Sequence, residues 1–180
     1  MVQPLEILGS EGALKVLAIF LEEPSSEFSQ ADICRKNGMS RMTAMKWLRI
    51  LMKEGMLSQM SRGRAAYYRL NAENPVIRQL KILMTTAELY GVFRKLKSES
   101  LELYLFGSAA RGEDTEKSDM DLLVLGKVDK PAVMAAIDDV RRIMKRDAKP
   151  MFLSHLDYSS ISRKDKVFYD NVERSKIRII

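Results

Sequence analysis

Two carboxylates stand one residue apart in Ser118-Asp119-Met120-Asp121-Leu122, at the head of the apolar run Leu122–Leu125. On an extended strand, residues i and i+2 project from the same face. Two carboxylates held that close repel each other unless a cation lies between them. Magnesium suits such a gap, because it favours oxygen ligands and brings phosphates with it. Upstream, the apolar-rich stretch Leu101–Phe106 runs directly into Gly107-Ser108, and ten residues separate Ser108 from Asp119. Glycine lets backbone come close to a phosphate, and the amides and hydroxyl of Ser108, at the start of a short helix, can cradle phosphate oxygens. An acidic pair beside a phosphate cradle is equipment for a metal-bound nucleoside triphosphate. Phosphoryl transfer from such a ligand relies on positioning and charge neutralisation, which these groups supply.

The full set, Gly107-Ser108, Ala110-Arg111-Gly112 and Ser118-Asp119-Met120-Asp121-Leu122, lies between two apolar strands. It closely resembles the minimal nucleotidyltransferases, the MNT family, of the DNA polymerase-β-like superfamily. A bare Asp-x-Asp is common, whereas this combination at this spacing is not. The resemblance implies that Gly107 and Ser108 bind the triphosphate, with Arg111 and Ser118 as further nucleotide-binding positions. Arg111 matches the family's arginine and is either structural or in contact with phosphate. Asp119 and Asp121 are implied as the catalytic carboxylates and the ligands of Mg2+. The implied reaction moves a nucleoside monophosphate, AMP from ATP, to a hydroxyl of a protein or small molecule and releases pyrophosphate. MNT proteins often pair with HEPN-type proteins in toxin–antitoxin systems, so the resemblance also implies a HEPN-type partner.

The chain departs from this pattern in one place. Active members of the family carry a third carboxylate on a later strand, which completes a two-metal site and helps to deprotonate the acceptor. Here Lys130–Arg146 reads as a helix, with Val133, Ile137, Val140 and Met144 at helical spacing, and Pro150–Ser154 as the next strand. The third acid belongs at the start of that strand, where the aligned residue is Lys149. Asp147 serves only if the strand starts earlier or the loop folds back. A lysine at this position would neutralise the aspartates or take a phosphate without metal. Two readings stay open: an active transferase, or a transcriptional regulator whose degenerate transferase domain only binds nucleotide or mediates assembly. The only histidine, His155, follows the strand and reads as a surface or capping residue. Beyond it a helix is expected from Asp157 to about Arg174, broken near Ser162, and then a strand over 177–180. Tyr158 and Tyr169 there read as core, with stacking on a base as the alternative.

The elements ahead of the motif explain where the positive charge goes. The chain is +6 at neutral pH. Between Ser40 and Leu70 stand seven basic residues, Arg41, Lys46, Arg49, Lys53, Arg62, Arg64 and Arg69, against one acid, Glu54, so this window holds a net +6. Such concentration points to a polyanionic partner. The local pattern agrees. Ser10–Glu22 has apolar residues at helical spacing and ends at Pro24. Ser29 caps a second helix with Asp32 three residues on, an acidic variant of the capping box, and Asn37-Gly38 closes it. Ser40 caps a third helix that runs to about Glu54. On that helix Ala44, Met45, Leu48, Leu51 and Met52 form the core stripe, while Met42, Thr43, Lys46, Arg49, Ile50 and Lys53 point away. Two short strands then flank a turn on Gly63, with Arg62 and Arg64 at its tip.

This order of elements resembles the winged-helix regulators of the ArsR and MarR type, over about Leu5–Leu70. The resemblance implies DNA as partner, with Arg41, Thr43, Lys46 and Arg49 at a major groove and Arg62 and Arg64 along the backbone or in a minor groove. Binding of protein or RNA by the same face is the remaining alternative.

Asn74-Pro75 opens a long helix to about Lys97, with an apolar stripe wide enough to join two domains or to meet a second copy in a homodimer. The expected organisation is therefore α+β: a winged helix over 1–72, a linker helix over 73–97, and a nucleotidyltransferase-type mixed sheet with flanking helices over 98–180. No apolar run approaches the roughly 20 residues that span a bilayer, so no membrane is expected. Met1-Val2-Gln3-Pro4 shows no secretory signal, and the single cysteine, Cys34, reads as a small core residue that forms no internal disulfide. The expected location is the cytoplasm.

Overall fold

The computed structural model describes residues 4–96 and 101–180. The chain divides into two compact units, Met1–Arg78 and Gln79–Ile180. The expected boundary between residues 97 and 98 lies outside the described residues.

The first unit opens with α1 (Pro4–Leu8) and α2 (Glu11–Glu22), then β1 (Glu27–Ser29), α3 (Gln30–Asn37) and α4 (Arg41–Lys53), and closes with β2 (Leu57–Arg62) and β3 (Ala65–Leu70). Helix boundaries follow the capping chemistry. The Ser29 hydroxyl accepts from the Asp32 N–H while the Asp32 carboxylate accepts from the Ser29 N–H, and Gly38 ends α3 in the left-handed region at φ +70°. Ser40 accepts from the Thr43 N–H and starts α4. Ala44, Leu48 and Leu51 of α4 are buried, and Met45 and Met52 flank them half-buried. At Gly12, α2 comes so close to α4 that an added Cβ would lie 2.2 Å from Trp47 Nε1. The three strands form an antiparallel sheet in the order β1-β3-β2. Two elements here were not expected, α1 and β1. A three-residue strand has too little pattern to read, and β1 exists because β3 offers it partners, Phe28 beside Tyr68 among them.

α5 (Pro75–Phe93) crosses from one unit to the other and ends in a 3-10 turn, Arg94–Leu96. The second unit continues with β4 (Glu102–Phe106), α6 (Gly107–Ala110), β5 (Met120–Leu125), α7 (Lys130–Met144), β6 (Ala148–Leu153), α8 (His155–Lys164), α9 (Lys166–Ser175) and β7 (Ile177–Arg178). Its sheet is mixed, in the order β6-β5-β4-β7: β4 is antiparallel to β5 and to β7, and β5 is parallel to β6. One face, with Leu103, Leu105, Leu122 and Val124, packs on α7 through Val133, Ile137 and Val140. The opposite face, with Leu123, Leu125 and Phe106, packs on α8 and α9 through Tyr158, Phe168 and Val172. Strand alternation puts Asp121 on this second face, with Leu123 and Leu125. Among the described residues no helix is long and apolar enough to cross a membrane.

Candidate active site

β4 and β5 pair so that Phe106 stands beside Asp121, and β5 and β6 pair so that Asp121 stands beside Lys149. The end of β4, the acidic pair and the start of β6 therefore meet at one edge of the sheet. Gly107, in the left-handed region at φ +74°, turns the chain from β4 into α6. A Cβ there would lie 2.4 Å from Asp121 Oδ2. Glycine is required twice over, by its backbone angle and by the carboxylate pressed against it. The phosphate cradle expected from the sequence and the acidic pair thus touch. The Ser108 hydroxyl has no protein partner among the described residues. Arg111 lies just beyond α6, half-exposed, with its Nε 2.7 Å from Glu113 Oε2. The Ser118 hydroxyl accepts the Thr115 N–H at 2.9 Å and closes a turn, so it braces the loop ahead of Asp119.

Lys149 decides the charge of the site. Its Nζ lies 2.5 Å from Asp119 Oδ2, and its backbone is abreast of Asp121. The hydrogen bond to Asp119, reinforced by that carboxylate's charge, holds the Lys149 ammonium above the usual lysine range. Burial pushes the Asp121 carboxyl up from the usual range; the Lys149 charge opposes this and the Asp119 charge adds to it. β6 begins at Ala148, two residues earlier than the apolar pattern suggests, because the Met120 N–H donates to the Asp147 carbonyl and parallel pairing starts there. Asp147 still does not supply a third acid: its carboxylate lies 2.8 Å from Arg141 Nε and accepts the Ala148 N–H. Among the described residues no group of three or more histidine, cysteine or acidic side chains gathers as a metal site. Asp119 and Asp121 supply oxygen ligands of the kind that would hold a divalent cation, with the Lys149 ammonium already on Asp119. They do not fit the three-carboxylate cage of a two-metal centre.

The loop that joins cradle to acidic pair is held by residues that the sequence reading passed over. Lys81 of α5 and Asp114 are 5% and 4% exposed. Lys81 donates to the Gly112 carbonyl at 2.9 Å and to the Asp114 carbonyl, and Arg146 Nη1 lies 2.6 Å from Asp114 Oδ2. A signal was available: Lys81, Thr85, Leu89 and Phe93 fall at i, i+4 spacing, so a lysine sits on the apolar stripe of its helix.

In the first unit, Arg41, Thr43, Lys46 and Arg49 are exposed along α4. Thr43 also takes part in the cap, with its Oγ 2.9 Å from that of Ser40, and the Lys46 ammonium lies over the Trp47 ring. At the hairpin tip Arg64 has no partner among the described residues. Arg62 is tied down, 2.9 Å from Glu27 Oε2 and stacked over Tyr67.

The profile of the family described as nucleotidyltransferase domain matches residues 88–178 of this chain. No curated protein matches it. Among solved structures the chain is similar to a toxin–antitoxin crystallised with AMP-PNP, at 18% identity over 53% of this chain and 72% of that one, with a TM-score of 0.39. It is also similar to a tri-AMPylated Shewanella oneidensis HEPN toxin in complex with an MNT antitoxin (18% identity, 57% of this chain, 71% of that one, TM-score 0.35). A third similarity is to NolR from Sinorhizobium fredii (21% identity, 51% and 96%, TM-score 0.31).

Proposed function

We propose, from the premise that this chain belongs to the nucleotidyltransferase-domain family, that it is a DNA-binding regulator whose transferase-type unit takes up a magnesium-bound nucleoside triphosphate, ATP, and whose transfer step is held down by Lys149. The observation that carries this reading is Lys149, whose backbone stands abreast of Asp121 and whose ammonium lies 2.5 Å from Asp119, at the position the resemblance assigns to a third carboxylate. Gly107 and Ser108 would hold the triphosphate, with Arg111 able to leave Glu113 for a phosphate. Asp119 and Asp121 would share one magnesium ion. Lys149 would exchange its carboxylate for a phosphate oxygen when nucleotide enters, which keeps the ligand neutralised. It also leaves no third acid to organise a second metal or to take the acceptor's proton.

The first unit supports the other half of the proposal. A capped helix pair, a three-stranded antiparallel sheet and an arginine-tipped hairpin support a winged-helix reading, and α4 exposes Arg41, Thr43, Lys46 and Arg49. This supports DNA as its ligand, with α4 as the recognition helix and the β2–β3 hairpin as the wing. Leu83 and Tyr90 are exposed on α5. This apolar face supports association, with a second copy of the chain as the proposed partner and a HEPN-type protein as the one the motif resemblance implies. The cytoplasm suits all of these ligands.

The test is labelled ATP with magnesium and candidate protein acceptors, run on the wild type, Lys149→Asp and Asp121→Asn. The wild type is expected to bind Mg·ATP and transfer little label. Lys149→Asp, which sets a third carboxylate beside Asp121, is expected to gain transfer, and Asp121→Asn to lose both. Transfer by the wild type as fast as by Lys149→Asp would overturn the restraint assigned to Lys149. Mg·ATP binding unaltered in Asp121→Asn would overturn the site.

A further inference from the structure

The loop over 112–118 has one buried side chain, and it is a carboxylate. Glu113 and Lys117 are exposed, Thr115, Glu116 and Ser118 half-buried, and apart from Gly112, which has no side chain, only Asp114 is buried. The loop therefore docks through charge. Lys81 Nζ bonds two of its carbonyls, Gly112 at 2.9 Å and Asp114, and lies 3.1 Å from Asp114 Oδ1 as an ion contact without hydrogen-bond geometry. Arg146 works from the other end. Its Nη1 meets Asp114 Oδ2 at 2.6 Å, and its Nε and Nη2 donate to the Ser118 carbonyl at 3.2 and 3.0 Å. Arg146 is aimed there by Lys145, which ends α7 in the left-handed region at φ 51°, where no other non-glycine residue is found among the described residues.

Gly112 follows the phosphate cradle and Ser118 precedes the acidic pair. The two cations thus grip both ends of the connection between the two halves of the site. Desolvating three charged groups consumes most of what their attraction supplies, and an apolar trio of the same volume would serve stability as well. What an apolar trio could not do is fix the three backbone carbonyls of Gly112, Asp114 and Ser118 in place. We propose that Lys81, Asp114 and Arg146 are positioning residues, a buried tether that sets the span between the Gly107-Ser108 cradle and the Asp119/Asp121 pair. The effect on ligand rests on the nucleotide reading above, whereas the tether itself does not.

The experiment uses the full chain, with Asp114→Asn and the charge-conserving Arg146→Lys, at a temperature where each is folded. Amide exchange is followed by NMR at Glu113, Thr115 and Ser118, whose N–H groups are bonded within the loop and its flank, and at Leu103 and Leu122 in the sheet. Mg·ATP binding is measured by calorimetry. Asp114→Asn is expected to speed exchange at the three loop amides and leave the strand amides slow, and to weaken Mg·ATP by about tenfold, which corresponds to about 1.4 kcal/mol. Arg146→Lys is expected to release Ser118 more than Glu113, and it carries the test if Asp114→Asn does not fold. Loop and strand amides accelerating together would overturn the tether in favour of a general structural role. An open loop with unchanged Mg·ATP affinity would overturn its positioning role. A wild type that does not bind Mg·ATP would fail the nucleotide reading, while the exchange pattern still decides the tether.

Discussion

At the scale of single residues, the site is a balance among Asp119, Asp121 and Lys149. Removing the ammonium leaves two carboxylates without a protein cation between them, so Lys149→Met should raise Mn2+ affinity. A unit charge about 4 Å away is worth about 1 kcal/mol in water and more near a protein surface, so the gain should be about tenfold. Calorimetric titration of both proteins checks it, and equal affinities would mean that Lys149 does not neutralise the pair. The sign of the pH effect follows from Asp121. Its carboxyl is raised by burial, so the folded protein holds a proton that the unfolded chain has lost. Between the unfolded value of about 3.9 and the higher folded value, stability falls as pH rises. The difference in urea-unfolding free energy between wild type and Asp121→Asn should fall across that window, and Mn2+ binding should weaken as pH is lowered through it. A pH-independent difference would mean that Asp121 is as well solvated in the folded state as in the unfolded chain. The acidic pair and the lysine were legible because motif spacing names residues directly. The ion pair was not, because a lysine reaching Asp119 from a parallel strand depends on a register fixed by the Met120–Asp147 backbone bond.

At the scale of elements, the turn from β4 into α6 is the most constrained. Gly107→Ala would place a side chain in the left-handed region and drive it into Asp121 Oδ2. The strain alone is on the order of 1–3 kcal/mol. Thermal or urea denaturation should show the loss, together with loss of Mg·ATP binding. A stable variant that still binds would place the cradle elsewhere. Helices with caps were readable for a physical reason: Ser29, Ser40 and Gly38 act on amides and carbonyls within four residues, so their chemistry is local. The break near the end of the chain falls at Asp165 and not near Ser162, because the Asp165 side chain accepts the Phe168 N–H and starts α9 afresh. β1 was unreadable because its strand character comes from β3, some forty residues away.

At the scale of the whole molecule, long-range contacts were the least legible, and the Lys81–Asp114–Arg146 network joins residues from three separate stretches of chain. Charge distribution, by contrast, is a sum over sequence and reads directly. The window from Ser40 to Leu70 carries +6, equal to the excess of the entire chain. If that window lies on DNA, affinity falls with salt by a slope of about −0.9 per phosphate neutralised. The structure separates its arginines. Arg49 and Arg64 are exposed without partners among the described residues, whereas Arg62 is paired with Glu27 and stacked over Tyr67. Arg62 would have to exchange one anion for another on binding, so it gains less from a phosphate. Arg49→Ala and Arg64→Ala are each expected to reduce the salt slope by about one and to weaken binding across sequences. Arg62→Ala is expected to change the slope less than either. Fluorescence anisotropy on a labelled duplex at several salt concentrations measures all three. Equal effects would show that Glu27 releases Arg62 freely, and slopes unchanged in all three variants would move the polyanion off this face altogether.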